Sequence, residues 1–291
     1  MKLNTVELSE LTDLAILAAT EAGKMVVQSR PHDIQRKTAG ASLASQVVTE
    51  IDRRSEEIIL GILESSIERF DFGLLTEERD DDASRLSADY FWSIDPLDGT
   101  LSFIEGSPGY AVSIALVDRN GIPWIGVIYD PVETTTVHAI RGVGAFRDGD
   151  RWRIEPPGDS EVLSVFVDRS FLTSNDRHAV IEALNEIAQD MGLTAIQLQA
   201  TSGAVMNACG VLAHPSACYF KYPKPTGGGS VWDFAATACV FDEVGAVATD
   251  IHGARLDLNR KDSLFMNHRG VLFATDEALA QRIRAIHSAA G

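Results

Sequence analysis

Leu11, Leu14, Ala18, Ala22 and Met25 recur at steps of three and four, the spacing of one apolar helix face, and predict an amphipathic helix near the start of the chain. A second helix is predicted to start near Thr49 and to turn Ile51, Ile58, Ile59, Ile62 and Leu63 inward, ending before an acidic loop with Thr76, Glu77 and Glu78. "YFWSIDPLD" reads as a buried strand that runs into acids. "YAVSIALVDRNGIPWIGVIYDP" holds two β-rich runs around Asn120-Gly121, a hairpin signal, and "TTTVHAI" adds a strand, so the middle of the chain is predicted to be an antiparallel sheet. From about residue 162 strands and helices alternate: "VLSVFVD", "NDRHAVIEALNEIAQDM", "TAIQLQ", "GAVMNACGVLA", "ACYF", "WDFAATACVFDEVG", "AVATD" and "DEALAQRIRAIHSA". A subdivision near residue 155, at Pro156-Pro157-Gly158, separates an α+β part, 1–155, from an α/β part, 156–291, that completes the site.

Composition narrows the function. With 45% apolar residues in a chain of 291, there is ample material for a folded core. Twenty-five Lys and Arg against 42 Asp and Glu give a formal charge of -17, which argues against nucleic acid polymers and anionic membranes as partners. A small phosphate stays compatible, because a bound cation inverts the local field. Cys209, Cys218 and Cys239 lack C-x-x-C spacing and read as reduced, packed thiols. The first residues carry acids instead of a basic leader, and no apolar run is long enough for a membrane span, so the expected location is cytoplasmic. The histidines are scattered without metal-ligand spacing.

Candidate chemistry centres on Asp95 and Asp98, which should emerge together at a strand's end, where unpaired anions repel and are costly to desolvate. Mg²⁺ resolves that conflict, since it is held by a few carboxylates, water and substrate phosphate oxygens. If Gly99 and Thr100 open a helical turn, their N–H groups point at an anion beside the metal. Taken alone, D-P-x-D-G reads as an ordinary solvated turn, since so short a pattern recurs by chance. Three further segments have ordinary readings of their own. Thr49 and Asp52 fit a capping box, with Glu56 beyond; Glu77 and Glu78 fit a solvated acidic loop; Asp233, after Trp232, fits a helix cap.

Taken in order, "VVTEID", "TEE", "DPLDGT" and "WDFAA" resemble the inositol monophosphatase superfamily of Mg²⁺-dependent, lithium-sensitive phosphatases. The resemblance runs from roughly the first helix to the last and implies a layered αβαβα sandwich, with an antiparallel sheet in the N-terminal half and a mixed α/β C-terminal half. It implies two or three Mg²⁺ ions. Glu77, Asp95 and the Leu97 carbonyl would hold one, and Asp95, Asp98 and Asp233 the second. Asp52 and Thr100 would orient the attacking water and accept its proton, and the Gly99 and Thr100 amides would hold the phosphate. A small phosphorylated metabolite as substrate and a homodimer are further implications.

The chain departs from the family pattern at several positions. Thr76 replaces a glycine, Gln46 an acid, and Leu101-Ser102 the usual Thr-Asn. Lys221 stands where inositol monophosphatases have a Glu that contacts inositol hydroxyls, and Lys224 follows in a longer, Gly-rich loop. A mobile ammonium suits a second phosphate, as in a 3′(2′),5′-bisphosphate nucleotidase; solvated loop lysines are the other reading. Two competing classes are a haloacid-dehalogenase-type phosphatase, which needs D-x-D and leaves "WDFAAT" unexplained, and a non-catalytic interaction protein, which would be expected to have lost ligands.

Overall fold

The structure, a computed structural model, describes residues 2–29, 40–154 and 161–290, without the side chains of 40–48 and 287–290. The proposed subdivision point at 156–158 and the side chain of Gln46 therefore lie outside the described residues. The first helix, α1 (Thr5–Gln28), opens on a capping box of Asn4 and Glu7 and buries Leu11, Ala15, Ala18 and Ala22. The second, α2 (Gly40–Phe70), starts well before Thr49. Thr49 is thus inside a helix instead of at its N-cap position. The preceding "GASLASQ" has residues a helix tolerates, and with Leu43 as its one large apolar residue it shows no helical period.

A seven-stranded sheet follows in chain order: β1 (Gly73–Thr76), β2 (Tyr90–Asp98), β3 (Ala111–Asp118), β4 (Pro123–Asp130), β5 (Thr135–Ile140), β6 (Gly144–Arg147) and β7 (Asp150–Trp152). Its neighbours are antiparallel except β1 and β2, which run parallel. The hairpin at Asn120-Gly121 joins β3 to β4, with Gly121 at φ +74° and the Asp118 carboxylate accepting from the Asn120 and Ile122 N–H groups. A short helix, α3 (Thr100–Ile104), sits between β2 and β3.

The second sheet has the order β11-β12-β10-β8-β9, from β8 (Val162–Phe166), β9 (Ala195–Gln199), β10 (Ala217–Lys221), β11 (Val247–Thr249) and β12 (Val271–Ala274). Here β9, β8 and β10 are parallel, and β12 is antiparallel to β10 and β11. Its helices are α4 (Arg177–Asp190), α5 (Ala204–Leu212), α6 (Val231–Val244) and α7 (Glu277–Ala290). Sequence patterning missed β1, β6, β7 and β12, each only three or four residues long and too short to display a period.

Burial orders these elements into layers. Leu11, Ile59 and Leu63 of α1 and α2 meet Trp92, Ile114 and Val127 on one face of the first sheet. On its other face Phe91, Ala115 and Ile128 share a core with α5, α6, Tyr219 and Phe273. Beyond the second sheet, α4 and α7 cover Leu163, Val165, Cys218 and Leu272. The result is the expected αβαβα sandwich. Because both faces of the first sheet are covered, β2 is buried along its whole length and shows no polar alternation.

Candidate active site

In a regular strand, residues three apart point to opposite faces. Pairing of β2 with β3 is irregular here: Asp95 faces Ser113 while Asp98 faces Ala111, so two residues of β2 oppose one of β3. This bulge lets both carboxylates reach one place. Oxygens of Asp95, Asp98 and Asp233 all lie within 4.8 Å of one another.

Each of the three is fixed by main-chain donors. Asp95 Oδ1 accepts the Leu97 N–H at 3.0 Å. Asp98 accepts two N–H groups at the start of α5, from Ala204 to Oδ1 at 3.0 Å and from Val205 to Oδ2 at 2.9 Å. Asp233, in the first turn of α6, forms a capping box with Ser230 and accepts its N–H at 2.7 Å. The sequence offered cap or ligand for Asp233; the carboxylate caps the helix and also belongs to the acid cluster. The close approach of α5 requires glycine at 203, since a Cβ there would collide with Asp98 Oδ2. Gly99 has φ +84°, and a Cβ on it would meet the Gly109 carbonyl oxygen at 2.5 Å. Thr100 follows as the first residue of α3, its hydroxyl donating to the Leu97 carbonyl at 3.2 Å.

Glu77 stands outside the tight trio, more exposed, yet shares a hydrogen bond with Asp95. Burial first, and Asp233 next, push its carboxyl up to about 7. Asp95 is raised well above the carboxylate range by burial and by Glu77, Asp98 and Asp233. Burial and Asp233 raise Asp98, against the opposing pull of the Val205 N–H and Lys221. Asp52 lies on α2 with Oδ1 buried and without a hydrogen-bond partner among the described residues. Burial, Glu78 and Glu77 push it up to about 8. Carboxyls that resist ionisation this strongly, gathered as hard oxygen donors, fit a divalent cation: its charge would relieve the repulsion that burial amplifies.

Sequence reading assigned no site role to four contributors. Ser55 donates to the Pro96 carbonyl at 2.8 Å and ties α2 to the turn between Asp95 and Asp98. Glu56, 3% exposed, accepts the Thr76 hydroxyl and, at 2.8 Å, Arg79 Nε, thereby bracing both sides of Glu77-Glu78. Thr76, which replaces the family glycine, is one end of that brace. Asp168, just beyond β8, accepts the Tyr219 hydroxyl at 2.9 Å and pairs with Lys221 at 3.0 Å. Arg169 makes a bidentate pair with Glu105 at 2.6 and 2.7 Å, joining the end of α3 to the second sheet. None belongs to a short motif; only the buried position of Glu56 one helical turn after Asp52 offered a signal.

Lys221 departs from expectation: it is the last residue of β10, 12% exposed and ion-paired, instead of a mobile loop cation. Lys224 does lie in the loop, where its backbone N–H donates to the Asn267 carbonyl at 3.0 Å.

The profile of the inositol monophosphatase family matches residues 7–289. The chain belongs to the inositol monophosphatase family. Its enzymes are metal-dependent phosphoric monoester hydrolases, and this chain is one of them. Among relatives, Nus factor SuhB of Vibrio cholerae serotype O1 is 29% identical, aligned over 94% of this chain and 96% of its own. Inositol monophosphatase 1 of Sus scrofa is 27% identical over 94% and 92%. The solved inositol monophosphatase-II from Staphylococcus aureus MSSA476 has the same fold, with a TM-score of 0.73 at 21% identity over 94% of each chain. No described helix is long and apolar enough to cross a membrane.

Proposed function

We propose that this family member is a Mg²⁺-dependent phosphomonoesterase of the inositol monophosphatase type, which hydrolyses a small phosphorylated metabolite by direct attack of water. The reading is carried by the convergence of Asp95, Asp98 and Asp233 oxygens within 4.8 Å, with Glu77 hydrogen-bonded to Asp95. Glu77, Asp95 and the Leu97 carbonyl would hold one ion, and Asp95, Asp98 and Asp233 another. When bound, the ions lower the pKa of water and neutralise charge on phosphoryl oxygens. Gly99 and Thr100 hold the phosphate through their amides at the start of α3. Thr100 and Asp52 orient the attacking water. Asp52, buried beside Glu77 and Glu78, is the general base that accepts the proton of that water.

A 3′(2′),5′-bisphosphate nucleotidase is the second reading, supported by the Lys221 ammonium, which is near enough to the acid cluster to offset burial at Asp98 and Asp233. Phosphate release from myo-inositol 1-phosphate, 3′-phosphoadenosine 5′-phosphate, fructose 1,6-bisphosphate and an aryl phosphate, with Mg²⁺ and with chelator, tests the function. Release from at least one ester that chelator stops is expected; chelator-resistant release, or none, would count against it.

A further inference from the structure

The pair of Asp168 and Lys221 stands at the carboxyl ends of the parallel strands β8 and β10, where ligands of open α/β sheets gather. Lys221 Nζ lies 5.3 Å from the centre of the Phe234 ring, beside Asp233. Asp168 and Lys221 also line a pocket of about 240 Å³, with Ser170, Phe171, Asp176 and Lys224 among its walls. The pair therefore lines this pocket and acts electrostatically on the Asp233 carboxyl.

Two features of this pair bear on the leaving group. Its net charge is zero, and the four charged side chains on the pocket wall, two Asp and two Lys, also cancel. A second phosphate would have to compete with Asp168 for Lys221 and sit beside carboxylates, so the electrostatic attraction a bisphosphate needs is already consumed. An uncharged hydroxylated group meets no such competition. Lys221 keeps N–H donors beyond the one given to Asp168, and each Asp168 oxygen keeps acceptor capacity beyond Tyr219 and Lys221. A hydroxyl both donates and accepts, so adjacent hydroxyls can satisfy both partners without breaking the ion pair.

We propose that Asp168 is a specificity-determining residue for the leaving group: with Lys221 it offers adjoining acceptor and donor groups to the hydroxyls of an uncharged polyol or sugar, and it cancels the positive charge that a second phosphate requires. This rests on the phosphomonoesterase reading above. It assigns selectivity to an ion pair instead of to a single side chain at position 221.

The test compares kcat/KM for myo-inositol 1-phosphate and for 3′-phosphoadenosine 5′-phosphate, each divided by that for 4-nitrophenyl phosphate. Wild type, Asp168→Asn and Lys221→Met are measured with Mg²⁺. Asn keeps shape and an acceptor for Tyr219 but leaves Lys221 without its counter-charge. Wild type should favour the polyol ester. Asp168→Asn should lower the polyol ratio by about tenfold to a hundredfold, the range for hydrogen bonds to a charged group, and raise the bisphosphate ratio. Lys221→Met should lower both ratios. Inhibition by free myo-inositol should weaken in Asp168→Asn in parallel, a binding readout that a general structural defect would not tie to one ester. A wild-type preference for the bisphosphate, or ratios unchanged within about twofold in Asp168→Asn, would overturn the assignment while aryl phosphate turnover leaves the phosphatase reading standing. Absence of turnover on all three esters would remove both.

Discussion

The acid cluster and the residues around it are held in different ways. Asp95, Asp98 and Asp233 are fixed by backbone N–H groups, at a turn and at the first turns of α5 and α6. The residues that brace or border the cluster, Glu56, Asp168 and Arg169, are fixed by other side chains: Thr76 and Arg79, Tyr219 and Lys221, and Glu105. Main-chain anchors depend on the fold and little on neighbouring side chains. Side-chain anchors change with single substitutions, so this outer ring is where one fold can vary its selectivity while keeping its chemistry.

The sharpest break of the comparison is inside the cluster. Asp233→Asn should lower kcat/KM by about a thousandfold or more, since a metal's charge stabilisation is worth several kcal/mol at roughly 1.4 kcal/mol per decade. The same substitution should raise the melting temperature of metal-free protein, because it removes one of several repelling carboxylates. Calorimetry on chelator-treated samples checks this.

In the outer ring, Glu56→Gln loses the charged anchor of Arg79 and weakens the brace on Glu77-Glu78. An increase of about 10–100-fold in the Mg²⁺ concentration for half-maximal activity is expected, the usual cost of losing a residue that supports metal ligands, with a smaller change in turnover at saturating Mg²⁺. An unchanged Mg²⁺ requirement would show that the brace is dispensable.

Proton linkage provides a third test. Folding raises Glu77 to about 7 and Asp52 to about 8, so the folded metal-free protein binds protons more tightly than the unfolded chain. Stability is therefore greatest below the ordinary carboxylate range and falls as pH rises from about 4 to about 8. The melting temperature of chelated protein should drop across that window. Saturating Mg²⁺ should flatten the slope. The smallest effect is expected at Lys224, beyond the ion pair: Lys224→Ala should leave kcat/KM for the polyol ester within about twofold, as for most exposed positions.

Legibility in the sequence follows the same division. "DPLDGT" and "WDFAA" marked the main-chain-anchored carboxylates because a backbone-held carboxylate needs its neighbours in a fixed local order. The layers were legible through α1, the β3–β4 hairpin and the strand–helix alternation after residue 162. The bulge that turns Asp95 and Asp98 to one side was not, since it depends on pairing with β3. Asp168 was invisible for a similar reason: it acquires meaning only when β8 and β10 lie side by side and bring it to Lys221. The start of α2 was misplaced because a large-residue period was used to find a helix whose first turns have few large residues.

The account stands most directly on Asp95, which both proposed metal positions share. Mg²⁺ titrations by calorimetry on wild type and Asp95→Asn, each paired with Mg²⁺-dependent phosphate release, test it. Saturable Mg²⁺ binding and turnover in wild type, both lost in a variant that still unfolds cooperatively, is the predicted result. Substantial Mg²⁺-dependent turnover in Asp95→Asn would contradict the shared acid cluster as the centre of the chemistry.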